Sequence, residues 1–257
     1  MKSPKNIAIT GANSGLGAAL AEYYAASGIT LHLSGRNAER LQKVAETCRN
    51  AGATVHAKAL DVTDAEAMAA WLKEADANAP IDLVIANAGI SAGTGEDGET
   101  EAQARKIFSV NIGGVLNTIQ PLIPAMLARG RGQIAIMSSL AGIRALPSSP
   151  AYSASKACVR YYGESLRGWL CHHGVEVSVI CPGYIKTPMT DVNNFPMPFI
   201  MPANKAAARI AKGLAAGKTR IAFPRRLYWP LWWISCLSPV ITDPVFSRLP
   251  AKPSVAE

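Results

Sequence analysis

Apolar residues along this chain fall in short runs that alternate with longer stretches of helical period. The runs cover 6–10, 29–34, 54–60, 81–86, 133–137, 175–181 and 219–223. Each is too short for an ordinary helix and reads as a buried strand. Between them lie candidate helices: an Ala-rich one after Gly17 that runs to about Ser27 with Gly28 as its stop, then 38–50, 65–77, a long one over 102–129, one carrying Tyr152 and Lys156 to about His173, and 203–216. Strands alternating with helices at this rhythm predict right-handed crossovers. The expected fold is α/β, a mostly parallel sheet with helices on both faces, as a single domain over 1–257.

Composition fits a folded domain. Hydrophobic residues make up 49% of the 257 and charged residues only 17%, enough for a sizeable core and against dominant disorder. The net charge of +8 is unevenly spread. From Ala203 onward Lys205, Arg209, Lys212, Lys218, Arg220, Arg225, Arg226, Arg248 and Lys252 face only Asp243 and Glu257. The body is therefore nearly neutral, and no nucleic-acid partner is expected. Cys48, Cys158, Cys171, Cys181 and Cys236 are odd in number and widely spaced, and no signal-peptide apolar region precedes the first run. A reducing, cytoplasmic setting is the expectation. Cys171-His172-His173 has metal-ligand residue types, but adjacent helical positions point apart, so no metal site is expected.

Candidate chemistry sits at the ends of the runs. The first leads into Gly11-Ala12-Asn13-Ser14-Gly15-Leu16-Gly17 and then a helix. Three glycines in a strand-to-helix turn let the backbone approach a pyrophosphate, while the helix N-terminus supplies amide donors and positive dipole. The Gly-x3-Gly-x-Gly spacing departs from the usual dinucleotide fingerprint, so the loop needs support from the rest of the chain. The second run ends at Gly35-Arg36-Asn37, where an acid would hold the ribose 2′-hydroxyl of NAD(H). Arg36 instead offers a cation to a 2′-phosphate, which favours NADP(H), with NAD(H) the alternative. Asp61-Val62 closes the third run; Asp61 could accept from an adenine amino group, or Asp61 or Asp64 could cap the next helix. Asn87-Ala88-Gly89 leaves the fourth run as a turn under the cofactor.

Asn111 falls inside the long predicted helix, an unfavourable place for an asparagine without a specific partner. Gly113-Gly114 beside it permit close packing or a kink, and Pro121 and Pro124 are candidate irregularities. Ser139 ends the fifth run. Tyr152 and Lys156, four apart, share one helix face. An ammonium beside a phenol favours the phenolate and would lower a pKa that is ordinarily ~10. Alone, each residue is as well explained by a packed ring, a snorkelling amine or a serine turn. Behind a cofactor loop, the three together point to a proton-transfer site.

From Thr10 to Thr187 the chain resembles the short-chain dehydrogenases/reductases. The resemblance is carried by Thr10-Gly-x3-Gly-x-Gly17, Asn87-Ala-Gly89, Asn111, Ser139, Tyr152-x3-Lys156, and Pro182-Gly183 with Thr187, in that order. It implies a Rossmann-type doubly wound sheet and an oxidoreductase that interconverts a carbonyl and an alcohol. In that reading Tyr152 is the general acid in reduction and the general base in oxidation. Lys156 lowers its pKa and holds the nicotinamide ribose, and Ser139, rather than Ser138, donates to the substrate oxygen. Asn111 holds a water that links Lys156 to solvent. Pro182 and Gly183 complete the cofactor site, where Thr187 and the backbone near Ile185 hold the nicotinamide carboxamide. A cofactor-binding sensor or scaffold of the same fold is the alternative; it would have no need to keep Ser139, Tyr152 and Lys156. A homodimer or homotetramer is the expected assembly.

The last quarter departs from that pattern. About 184–257 is expected to supply a substrate lid, the last strand and an apolar, basic extension. Met189, Phe195, Met197, Phe199 and Met201 precede Arg225-Arg226-Leu227-Tyr228-Trp229-Pro230-Leu231-Trp232-Trp233, and apolar residues continue to Phe246. A membrane span needs about 20 consecutive apolar residues. Pro230 and Pro239 interrupt a shorter run, so none is expected. A lid or subunit interface is the first reading. The second is a peripheral membrane contact through about 225–246, tryptophans at the interface and arginines against anionic lipid. Both favour a hydrophobic substrate, lipid-like or steroid-like.

Overall fold

A computed structural model describes residues 3–95, 98–248 and 252. Its strands are β1 (Asn6–Thr10), β2 (Thr30–Gly35), β3 (Thr54–Ala59), β4 (Leu83–Ala86), β5 (Gly132–Met137), β6 (Val175–Pro182), β7 (Ile185–Lys186), β8 (Met201–Pro202) and β9 (Arg220–Phe223). Seven of them form one sheet in the order β3-β2-β1-β4-β5-β6-β9, every neighbouring pair parallel; β7 and β8 make a small separate pair. The chain starts in the middle of the sheet and works outward in both directions. Between β1 and β4 the loops leaving the strand ends part toward opposite faces and leave a crevice, the place where such a sheet can hold a ligand.

The helices are α1 (Gly15–Tyr24), α2 (Ala38–Asn50), α3 (Ala65–Asn78), α4 (Glu101–Phe108), α5 (Gly114–Ile119), α6 (Ile123–Ala128), α7 (Pro150–Leu170), α8 (Pro188–Asp191), α9 (Ala203–Ala215), α10 (Arg225–Ser235) and α11 (Pro239–Phe246). On one face of the sheet α1, α2 and α9 contribute Leu20, Leu41, Ala45, Ile210 and Leu214 to a shared core. On the other, α3 through α7 contribute Met68, Leu72, Ile107, Ile119, Met126, Val159 and Leu166. Cover on both faces explains why the central strands read as continuous apolar runs rather than alternating ones: every residue of β4 and β5 is buried.

The differences from expectation have local causes. The helix after Gly17 ends at Tyr24 rather than at 27, because Ala25 already has extended backbone. The fourth strand begins at Leu83 rather than 81, because Asp76 Oδ1 accepts the Ile81 N–H at 2.8 Å. The long predicted helix is not uniform. Between α4 and α5 lies a π turn, Ser109–Gly113, and between α5 and α6 a 3-10 turn, Gln120–Leu122. Pro121, which has no N–H to give, accounts for the second irregularity. Gly114 accounts in part for the first, since a Cβ there would lie 2.5 Å from Val62 Cγ2. By length and composition the run Glu101–Ala128 could cross a membrane, but its apolar face is core against the sheet.

Cys171–His173 is an exposed 3-10 turn ended by Gly174 in the left-handed conformation. Among the described residues no group of His, Cys, Asp and Glu is placed to hold a metal. The apolar extension is two helices, α10 and α11. Leu227, Tyr228, Leu231 and Trp232 pack inward against Leu140, Ile143, Val179 and Cys181. Arg144 holds α11 through Thr242 Oγ1, at 2.5 Å, and lies 4.8 Å from the Phe246 ring centroid.

Candidate active site

The loop after β1 is fixed from two sides. A Cβ on Gly17 would lie 2.1 Å from the Gly11 carbonyl oxygen, so only glycine lets α1 start this close beneath its own loop. From β4, Asn87 Nδ2 donates to the carbonyls of Thr10 at 3.0 Å and Gly11 at 3.3 Å. Asn87 thus ties the two strand ends that flank the crevice. Ser14 precedes α1 without a side-chain capping bond, and the first turn contains no acid. The N–H groups of that turn meet no side-chain competitor for an anion.

At the far end of the crevice, exposed Arg36 and Arg40 line one wall with Asp61. Burial alone would raise the Asp61 carboxyl; donation from the Thr63 N–H and hydroxyl, with the Arg36 guanidinium nearby, holds it below its ordinary value. Helix capping falls to Asp64, whose Oδ1 accepts from Ala67 N–H at 2.9 Å.

At the near end, β5 delivers Ser138 and Ser139 to α7. Ser138 is buried and donates to the Lys156 carbonyl at 2.7 Å, a packing role. Ser139 is half-buried, accepts from Ala141 N–H at 3.1 Å and shares a hydrogen bond with the Tyr152 hydroxyl. Lys156 Nζ stands 5.8 Å from the Tyr152 ring centroid and donates to the Met137 carbonyl at 3.0 Å. One expectation is corrected here. The net effect on the Tyr152 phenol is a raised pKa, because burial outweighs the Ser139 hydrogen bond that pulls it down. Lys156 itself is pushed down to about 8 by the same burial.

Asn111 lies in the π turn, fully buried. Its Oδ1 accepts from Ile90 N–H at 2.8 Å, and its Nδ2 donates to the Ile90 carbonyl at 3.0 Å and to Ser155 Oγ at 2.9 Å. Both Nδ2 hydrogens and one lone pair of Oδ1 are thus met within the protein. The side chain fixes the loop after β4 against α7, since Ser155 Oγ in turn donates to the Tyr152 carbonyl at 2.7 Å.

Pro182 and Gly183 end β6. Ile185 is buried in β7, and Thr187 precedes α8 with its N–H given to Thr190 Oγ1 at 3.1 Å. All of them, with Gly11, Asn13, Ser14, Gly15, Leu16, Gly17, Asp61, Val62, Ala88, Gly89, Ser139, Tyr152 and Lys156, line one cavity of about 620 Å³. Asn111 stands just behind its wall. The cavity also takes in residues that the motifs did not single out: Arg40, Arg144, Tyr184, Leu227, Leu231, Phe246 and Lys252. Arg40 was findable as the cation one helical turn after Arg36, and Leu227 and Leu231 as an i, i+4 apolar pair. Lys252 left no local signal.

The short chain dehydrogenase family matches residues 5–196 of this chain. An "uncharacterized oxidoreductase" of Myxococcus xanthus (strain DK1622) is 38% identical over 239 residues, covering 93% of each chain. A short chain dehydrogenase/reductase from Burkholderia phymatum, solved in complex with NAD, has a TM-score of 0.81 at 25% identity, with 98% of each chain covered. A short-chain dehydrogenase from Sphingobium yanoikuyae in complex with NADPH has a TM-score of 0.80 at 24% identity. It covers 95% of this chain and 96% of its own, and it speaks for the fold alone.

Proposed function

The chain belongs to the short-chain dehydrogenase family and is an oxidoreductase, and from that premise we propose that it interconverts a hydrophobic ketone or aldehyde and the corresponding alcohol with NADP(H). The observation that carries the reading is the meeting of Ser139, Tyr152 and Lys156 in the cavity whose other end is the Gly11–Gly17 loop. The residues fit a nicotinamide dinucleotide. The uncapped first turn of α1 suits a pyrophosphate, and the cations Arg36 and Arg40 at the end of β2 suit a 2′-phosphate. Gly89 and the segment from Pro182 to Thr187 would flank the nicotinamide.

When bound, the cofactor supplies the hydride in reduction and accepts it in oxidation. The chain's own part is to meet the charge that grows on the carbonyl oxygen. Tyr152 Oη gives that oxygen its proton, and Ser139 Oγ donates a second hydrogen bond to it. Lys156 holds the ribose and returns a proton to the phenolate. Asn111 keeps Lys156, Tyr152 and the Ile90 loop in register. The apolar wall of Leu227, Leu231 and Phe246 favours a lipophilic substrate. We place the enzyme in the cytoplasm as a homodimer or homotetramer, with the outer face of α10 and α11 able to rest on a membrane surface.

The test is NADPH oxidation over a carbonyl panel. Lipophilic carbonyls should turn over, and Tyr152→Phe should slow turnover by about 10²-fold or more while NADPH binding stays unchanged. Cofactor binding without turnover of any carbonyl would replace the enzyme by a sensor. Arg36→Asp should weaken NADPH far more than NADH; equal loss would remove the 2′-phosphate assignment.

A further inference from the structure

Lys252 comes from the far end of the chain and yet stands beside Tyr152. Its carbonyl accepts from Gly95 N–H at 2.9 Å, and it lies so close to Gly93 that a Cβ there would be 2.1 Å from the Lys252 oxygen. The backbone at 252 is thus seated on the loop that follows β4. Its Nζ reaches 5.4 Å from the Tyr152 ring centroid and donates to Ser91 Oγ. Two ammoniums therefore flank one tyrosine ring. Lys156 is committed to the Met137 carbonyl. Lys252 is half-buried and, among the described residues, its ammonium has one neutral hydroxyl as hydrogen-bond partner and takes part in no ion pair. An ammonium has three donors, and the described residues meet one of them.

Among the described residues, the acids nearby on the same loop or lining the cavity are otherwise engaged. Glu99, on the same loop, accepts from Ala151 N–H at 3.1 Å at the start of α7. Asp243 pairs with Arg144 at 3.4 Å. Asp61 stands at the opposite end with Arg36. A cation drawn out of water in the wall of a substrate cavity, with no counter-charge among the described residues, is suited to a ligand that supplies the opposite charge. Burial already pushes this lysine down to about 8.

We propose that Lys252 Nζ receives a carboxylate that the substrate carries near its reacting carbonyl, so that this site takes apolar-tailed oxo acids and hydroxy acids in preference to uncharged ketones and alcohols. The inference rests on the reading that Tyr152 faces the reacting carbonyl. The tail would run along Leu146, Leu231 and Phe246, which line the same cavity. Lys252 acts on selection and on placement of the carbonyl, while proton transfer stays with Tyr152.

Two measurements on the full chain separate this assignment from the reaction itself. The first compares a medium-chain 3-oxo acid with its methyl ester as substrates. The wild type should prefer the acid in kcat/KM by at least about tenfold. Lys252→Met should abolish that preference by raising KM for the acid at least about tenfold more than for the ester, and Lys252→Arg should restore part of it. The second is calorimetric binding of decanoate and decanol in the presence of NADP+. Lys252→Met should weaken decanoate by about tenfold or more and leave decanol unchanged. Turnover that treats acid and ester alike, or an equal loss of both in Lys252→Met, overturns the Lys252 assignment and leaves the oxidoreductase standing. Decanoate binding that depends on Lys252, with no turnover of any carbonyl, upholds the assignment and removes the proposed reaction. Decanoate binding indifferent to Lys252 overturns it by itself.

Discussion

Lys156 is a cation held at 4% exposure with a backbone carbonyl as its hydrogen-bond partner, and its pKa lies at about 8. Unfolded, the same side chain titrates near ~10.4. Below about pH 8 it is charged in both states, and the folded state bears the whole cost of burying that charge. Between about 8 and ~10.4 the folded state has already released its proton and the cost fades. At ~1.4 kcal/mol per unit the cost at pH 7 is about 3 kcal/mol, set against ~1 for the Met137 hydrogen bond. Lys156→Met should therefore lose turnover and yet gain about 2 kcal/mol of stability at pH 7, the gain shrinking as pH rises from 8 toward 10. Urea unfolding across that range checks it; a mutant less stable at pH 7, or a difference indifferent to pH, would contradict the buried cation. The Tyr152–Lys156 pairing was legible because helical spacing alone brings positions i and i+4 together. The direction of the phenol's shift was not, because burial depends on everything packed around α7. Lys252 was out of reach for the same reason: its neighbours are 91, 93, 95 and 152, and no spacing rule joins them.

Elements on the far side of the sheet from α1 are pinned at their ends. Arg129, just past α6, makes a two-pronged pair with Asp76 of α3 at 2.9 and 2.8 Å and donates to the Ile81 carbonyl at 2.7 Å. Both side chains are largely buried, at 18% and 12% exposure. Arg129→Met would leave the Asp76 carboxylate short of its counter-charge, at a loss of about 3 kcal/mol. Asp76→Leu added to it should recover part of that loss. A single-variant effect under about 1 kcal/mol in urea would place the pair with ordinary surface bridges. The central strands were visible as apolar runs because both sheet faces are covered there, whereas edge strand β3 buries only Val55. Asn111 and Gly113-Gly114 signalled an irregularity in the long helix, but not its form as a π turn, because that is set by Val62 against Gly114 and by Asn111 against Ile90, contacts between distant segments. The β7–β8 pair was hidden, since two-residue strands have no period to read.

Across the whole molecule the two sides of the C-terminal helices behave differently. Inward residues of α10 close the cavity, while Trp233 and Val240 are 65% and 82% exposed, with Trp229, Ile241 and Val245 beside them. Arg225, Arg226 and Arg248 are exposed at the ends of this patch. An exposed apolar face of this kind, bordered by cations, suits an anionic bilayer. Full-length protein should float with anionic liposomes, less at high salt, and a truncation before Arg225 should not; equal flotation of the two would discard the membrane contact, and a Trp-dependent dimer would assign the patch to a second copy. The match to the short chain dehydrogenase family stops at residue 196, whereas the sheet does not: β9 still pairs with β6, and α9 still rests on α1. For protein engineering this makes the region around 188–202 a natural splice point. A graft that keeps Ala206, Ala207, Ile210 and Leu214 facing α1 carries its own substrate wall onto an unchanged cofactor half, so selectivity could be exchanged wholesale by recombination instead of residue by residue.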